Sequence, residues 1–267
     1  LEKQKLIYTG SDEYFYRITT SKIPMKKAFE EYGVPTAPWC EIREVDVDAE
    51  YVIAKTGAPA IIKPAVSGGS MGVGVRNVVE NVSEIQNLLK DLFTGYHGWN
   101  LNTDGLIAEQ FIEGPEFTVF ITGSHDKPNE ATIYMPVERV FHDSLPEKEK
   151  FLSFDRLWEI YETESMMPEA ENFYEYRLPH ADLIDPLKQL AWDAYASNKG
   201  IGYTRADIRL DKSTGKMYVL EVNAQCGISD DENFTSIGAI LKLSGKSFTS
   251  LMNDILVDAI KRSSHLL

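Results

Sequence analysis

Two neighbouring runs constrain this chain more than any other feature. TRADIRL, residues 204–210, and KMYVLEVN, residues 216–223, are apolar enough for buried strands, yet each carries charged or amide side chains at alternate positions. Side chains alternate across a strand, so Arg205, Asp207 and Arg209 share one face of the first run. Glu221 and Asn223 share one face of the second, with Leu220 and Val222 on the other. The link DKSTG has hairpin length, and a loop over 212–216 sets Asp207 opposite Glu221 and Arg205 opposite Asn223. Two carboxylates and an amide oxygen then converge beside an arginine, a donor set that suits Mg²⁺ or Mn²⁺. A solvated sheet face with cross-strand Arg–Glu pairs fits the same spacing, so the hairpin alone leaves both readings open.

A second region adds weight. Lys63 ends PAIIKP, a strand apolar enough to be buried, where a lysine requires a counter-charge or a phosphate. SGGSMGVG follows, and its four glycines allow backbone N–H groups to approach an anion, although a plain flexible hairpin has the same composition. The lysine precedes the glycines, so this is not a Walker A loop.

The remaining pattern mixes helices and hairpins without strict βαβ alternation, which predicts an α+β fold with largely antiparallel sheets. Helices are expected over about 24–32, over NVSEIQNLLKDLF with Ser83 as N-cap, over DPLKQLAWDAYASNKG with Pro186 in its first turn, and over SFTSLMNDILVDAIKRS. Strands are expected over about 106–110 and 116–122. Residues 140–180 are irregular and polar, and Trp39, Trp158 and Trp192 read as packing residues. A net charge of −14 argues against nucleic acid or an anionic membrane as partner. No apolar run is long enough for a membrane span, and two cysteines, Cys40 and Cys226, imply no disulfide framework, so a cytoplasmic setting is expected. Neither cysteine has a histidine near it in sequence to make it a nucleophile. A monomer and a symmetric homodimer are both compatible with the chain.

SKIPMKKAFEEYGVPTAPW, IIKPAVSGGSMGVGV, AEQFIEGPEFTV, EKFLSF, TRADIRL and YVLEVNAQCG occur in an order and spacing that resembles the ATP-grasp ligases, most of all their D-alanine–D-alanine ligase branch. The resemblance covers nearly the whole chain and lacks the ligases' N-terminal domain. It implies two α+β subdomains, 1–112 and 113–267, clamping ATP with Mg²⁺ or Mn²⁺. Lys22 and Lys63 would contact phosphates beside the glycine-rich loop with Gly69, Ser70 and Met71. Glu109, Gln110, Phe111 and Ile112 would receive adenine, and Glu116 the ribose hydroxyls. Lys150 would close over the γ-phosphate from a mobile loop. Asp207, Glu221 and Asn223 would hold the metal, and Arg205 would stabilise the reacting acyl group.

The expected reaction joins a small-molecule carboxylate to an amine through an acyl phosphate. Departures fall on the acceptor side. Gly69 replaces a serine of the family's loop, Phe151 replaces a tyrosine, and Glu232 stands where a serine is usual and suits a cationic group. These departures imply an amino acid or small peptide other than D-alanine. A D-alanine–D-alanine ligase fragment and a non-catalytic ATP-binding module are the alternatives.

Overall fold

The computed structural model describes residues 1–95, 98–157, 164, 165, 168, 171–224, 226–232 and 235–263. Trp158 and part of the 152–180 segment lie outside them. Two helices open the described fold, α1 (Glu13–Thr20) and α2 (Lys22–Glu31). Each begins at a polar cap: Asp12 accepts from the Phe15 N–H, and Ser21 from the Ile23 N–H.

A first, four-stranded antiparallel sheet follows. It contains β1 (Trp39–Ile42), β2 (Ala60–Pro64), β3 (Val78–Val79) and β4 (Leu106–Gln110), in the order β1-β4-β2-β3. Helices α3 (Ala49–Thr56) and α4 (Val82–Thr94) pack on it through Val52, Ile85, Leu89 and Leu92, all fully buried. Asn81, not Ser83, caps α4 by accepting from the Glu84 N–H. Its short side chain reaches the third residue of the helix, while Ser83 already lies within the first turn.

The second sheet has six strands, five in the order β10-β9-β5-β7-β8 and β6 paired to β5 off that path. Its strands are β5 (Glu116–Ser124), β6 (Thr132–Ile133), β7 (Val137–Phe141), β8 (Tyr174–Arg177), β9 (Ile201–Leu210) and β10 (Met217–Ala224). The chain passes from one sheet to the other at Gly114, whose φ of +140° lies in glycine territory, and where a Cβ would meet the Leu210 carbonyl at 2.2 Å. Five further residues of helix precede Pro186 in α6 (Ala181–Ser197), so the proline sits inside the helix and not in its first turn.

The short α5 (Phe154–Leu157), α7 (Ser236–Ser244) and α8 (Phe248–Arg262) complete the described elements. Buried Phe15, Met25 and Phe29 join Phe117, Val119, Ala206, Val219 and Val222 in one core. The two N-terminal helices therefore pack against the second sheet, although in sequence they precede the first. Trp192 packs on this core and Trp39 against Ile23 and Ile107. Among the described residues no helix is long and apolar enough to cross a membrane.

Candidate ligand-binding and metal site

Strands of both sheets, with Lys22 and the glycine-rich loop, enclose a cavity of about 190 Å³. Its floor is the β9–β10 hairpin. Asp207 pairs with Glu221 and Arg205 with Asn223 in the register the alternation predicts. The route to that register differs from the expected one. Met217 pairs with Leu210, which alone would put Asp207 opposite Leu220, and a bulge between Val219 and Glu221 shifts the ladder by one residue. Leu220 consequently lines the cavity with Glu221, while Val219 and Val222 go into the core.

The three expected metal ligands are in mutual contact. The Asn223 amide donates to Asp207 Oδ2 at 3.2 Å and to Glu221 Oε1 at 3.1 Å. Arg205 Nη2 donates to Asp207 Oδ2 at 2.8 Å, and Thr118 Oγ1 to Asp207 Oδ1 at 2.9 Å. Lys22 Nζ stands 3.4 Å from Glu221 Oε2 and donates to Ser67 Oγ at 3.3 Å. Burial alone would raise the Glu221 carboxyl, but Lys22, Lys63 and Arg205 outweigh it and hold it down at about 2. Among the described residues no cluster of three or more His, Cys, Asp or Glu side chains could hold a metal. The donors here are two carboxylates and an amide whose oxygen and nitrogen ends exchange by a flip, a hard oxygen set of the kind magnesium takes.

On the opposite wall, Glu109 lies fully buried between two lysines. Lys26 Nζ is 2.6 Å from Oε2, and Lys63 pairs with Oε1. Burial pushes the carboxyl up, the two ammonium groups pull it further down, and it rests at about 2. Its oxygens are thus engaged by lysines, and an adenine edge would have to compete with them. The adjoining Gln110, Phe111 and Ile112 line the same cavity. Phe151 packs edge-on against Phe111, ring centres 5.8 Å apart, in a cluster with Ile61, Val73 and Val78. An apolar contact replaces the hydroxyl that tyrosine would have brought.

Glu116 lines the cavity with its carboxylate held by Arg139 and by Arg209 Nη2 at 2.8 Å. These arginines are its direct neighbours on β7 and β9. Arg209 also donates to the carbonyls of Ile112 and Lys150. Gly68, Gly69 and Ser70 line the mouth, Ser70 with a φ of +60°. Met71 does not. It packs into the first sheet's core.

Two expected residues are elsewhere. The Lys150 ammonium pairs with Glu147 at 2.7 Å, off the cavity lining, because the short turn Glu147–Glu149 brings the two side chains together on one side. Glu232 is exposed and pairs with Lys242 at 2.7 Å, so it offers no carboxylate to a cationic ligand in this cavity. Cys226 is buried, and burial pushes its thiol up to about 12.

Sequence reasoning passed over Lys26 and Arg139. Both left a signal: Lys26 lies one helical turn after Lys22, and Arg139 interrupts the apolar run VERVF as Lys63 interrupts PAIIKP. Among the described residues, Lys22, Lys63, Arg139, Arg205 and Arg209 line the cavity together with Glu109, Glu116, Asp207 and Glu221, and Lys26 lies buried behind Glu109. Five cations against four carboxylates on the lining leave a positive excess in a chain of net charge −14. Such a cavity attracts an anion.

A family described as "D-ala D-ala ligase C-terminus" matches residues 28–257. The D-alanine–D-alanine ligase of Marinobacter nauticus is 30% identical over 253 residues, 95% of this chain and 67% of the relative. That of Idiomarina loihiensis is 26% identical over 271 residues, 98% of this chain and 74% of the relative. Among solved structures, D-alanine–D-alanine ligase from Bacillus anthracis complexed with ATP superposes with a TM-score of 0.71 at 19% identity, over 100% of this chain and 75% of that one. The ligase from Coxiella burnetii gives 0.72 at 17% identity, over 100% and 64%. At these identities the superpositions speak for the fold, α+β with antiparallel sheets of the ATP-grasp kind.

Proposed function

Because the chain belongs to the D-Ala–D-Ala ligase C-terminal family, we propose that it joins a carboxylate to an amine at the expense of ATP, releasing ADP and phosphate. The observation that carries this reading is the excess of cations around the cavity, set against the carboxylate–amide triad of Asp207, Glu221 and Asn223. A triphosphate brings negative charge to the first and a divalent cation satisfies the second.

In this proposal Gln110, Phe111 and Ile112 receive the adenine, with Ile61 and Val73 as its apolar walls. Glu116 has lone pairs beyond those its two arginines use and receives the ribose hydroxyls. Lys22, Lys63, Gly69 and Ser70 hold the phosphates. Asp207, Glu221 and Asn223 would hold magnesium or manganese, which supplies charge neutralisation at the phosphoryl oxygens when bound. Lys150 contributes only once its pair with Glu147 opens.

A carboxylate oxygen attacks the γ-phosphorus and the bond to ADP breaks. An amine then attacks the acyl carbon, and phosphate leaves. Arg205, fixed by Asp207, meets the negative charge that develops on the acyl oxygen. The units 1–112 and 113–267 form the two jaws, with α1 and α2 lent to the second, and a cytoplasmic setting belongs to the same proposal. The substrates are amino acids or small peptides. D-alanine is the second reading, favoured by the names of the relatives.

Incubation with Mg²⁺-ATP and an amino-acid panel tests the proposal by acceptor-dependent ADP release. Turnover that survives both Asp207→Ala and Glu221→Ala would sink it.

A further inference from the structure

A second cavity, of about 300 Å³, adjoins the first and shares Arg139, Leu152 and Arg205 with it. It lies against Arg205, between β7–β8 and the segment that follows β10. Its wall is aromatic and aliphatic. Tyr174 and Tyr176 stand with ring centres 5.4 Å apart, and Leu152 and Leu157 adjoin them. The Arg139 guanidinium lies 5.4 Å from the centre of each tyrosine ring and donates to the Tyr176 hydroxyl at 3.1 Å. Anchored also to Glu116, Arg139 fixes both rings in place.

The lining of this cavity includes two arginines and no acidic side chain among the described residues. That is unusual in so acidic a chain. Arg139 is 3% exposed and held by Glu116, whereas Arg205, paired with Asp207 through Nε and Nη2, is 25% exposed and keeps Nη1 for a ligand. Burial, reinforced by Tyr176, pushes the Tyr174 hydroxyl up to about 12, so that phenol stays neutral at ordinary pH. An anionic group at Arg205 and a large apolar group against the tyrosines would both be accommodated. A methyl side chain would leave the wall without partner atoms and forfeit their dispersion contacts.

We propose that this cavity receives an amine substrate bearing both a free carboxylate, directed to Arg205, and a bulky aromatic or branched apolar side chain, directed to Tyr174 and Tyr176. This rests on the ligase reading above and adds to it the class of acceptor. Glu232, which would have favoured a cationic acceptor, points to Lys242 instead.

Calorimetric titration of the whole chain decides it, with Mg²⁺ and a non-hydrolysable ATP analogue present. The ligands are D-alanine, both enantiomers of phenylalanine and leucine, and phenylalaninamide, which lacks the carboxylate. At least one enantiomer of phenylalanine or leucine should bind tenfold or more tighter than D-alanine, as one to a few buried methylenes discriminate. Phenylalaninamide should bind at least tenfold more weakly than the acid. Tyr174→Ala should abolish the preference and Tyr174→Phe should keep it. If the alanine variant does not fold, the panel on the wild type and on Tyr174→Phe still decides. D-alanine binding as tightly as the larger acids, or the amide as tightly as the acid, overturns the inference and leaves the ligase reading intact. Failure of the chain to bind the nucleotide analogue overturns both.

Discussion

The strand-borne and loop-borne parts of the site differ in how they hold their charges. Glu109, Glu116, Asp207 and Glu221 sit on paired strands, and each finds its partners across a ladder or from a packed helix. Lys150 and Glu232 sit on connections, and each takes the nearest opposite charge at the surface. A strand fixes where a side chain emerges to within one residue, so register decides its partner. A connection leaves that choice to local competition, in which an exposed pair is worth little. Buried strand charges are therefore expensive to disturb and loop charges cheap.

The sharpest way to break this comparison is to remove Glu109. Glu109→Ala leaves Lys26 and Lys63 unpaired beside one another and is expected to cost about 3–5 kcal/mol in urea unfolding. A cost below about 1 kcal/mol would mean that the lysines find other partners.

The same carboxylate predicts an acid limb. Its pKa is held at about 2 in the fold against an ordinary 4.5, so its stabilisation is complete above pH 4.5 and lost as pH falls toward 2. The loss is on the order of 3 kcal/mol. Unfolding midpoints measured against pH should fall less steeply in this window in Glu109→Gln than in the wild type, the remainder belonging to Glu221.

On the hairpin, Asp207→Asn or Glu221→Gln should lower acceptor-dependent ADP release at least about a hundredfold, roughly 2.7 kcal/mol of barrier. Raising the magnesium concentration should recover part of it if the triad acts on the metal. The smallest effect belongs to the loop. Lys150→Ala should change stability by less than about 0.5 kcal/mol in the same urea assay, since its partner Glu147 is 44% exposed. A larger loss would place Lys150 among the buried charges and erase the contrast.

How much of this was readable in advance follows the same division. The pairing of Asp207 with Glu221 was legible because strand alternation has a period of two, although a bulge at Leu220 and a one-residue offset at the turn had to cancel for it to hold. Lys63 was legible as a charge in need of a partner, but the partner is Glu109, on the neighbouring strand β4 and 46 residues on in sequence. Lys26 and Arg139 were missed because an isolated cation in an amphipathic run looks the same whether it faces solvent or a buried carboxylate.

By itself the sequence determined the antiparallel α+β character, the hairpin that carries the carboxylate–amide triad, and the strands on which the charged groups stand. These depend on short-range periodicity and on residue chemistry. Only the tertiary structure decided which cation each carboxylate takes, that Lys150 and Glu232 turn away, and that Tyr174 and Tyr176 wall a second cavity beside Arg205. Those outcomes are set by distances between segments far apart in the chain, and packing fixes such distances.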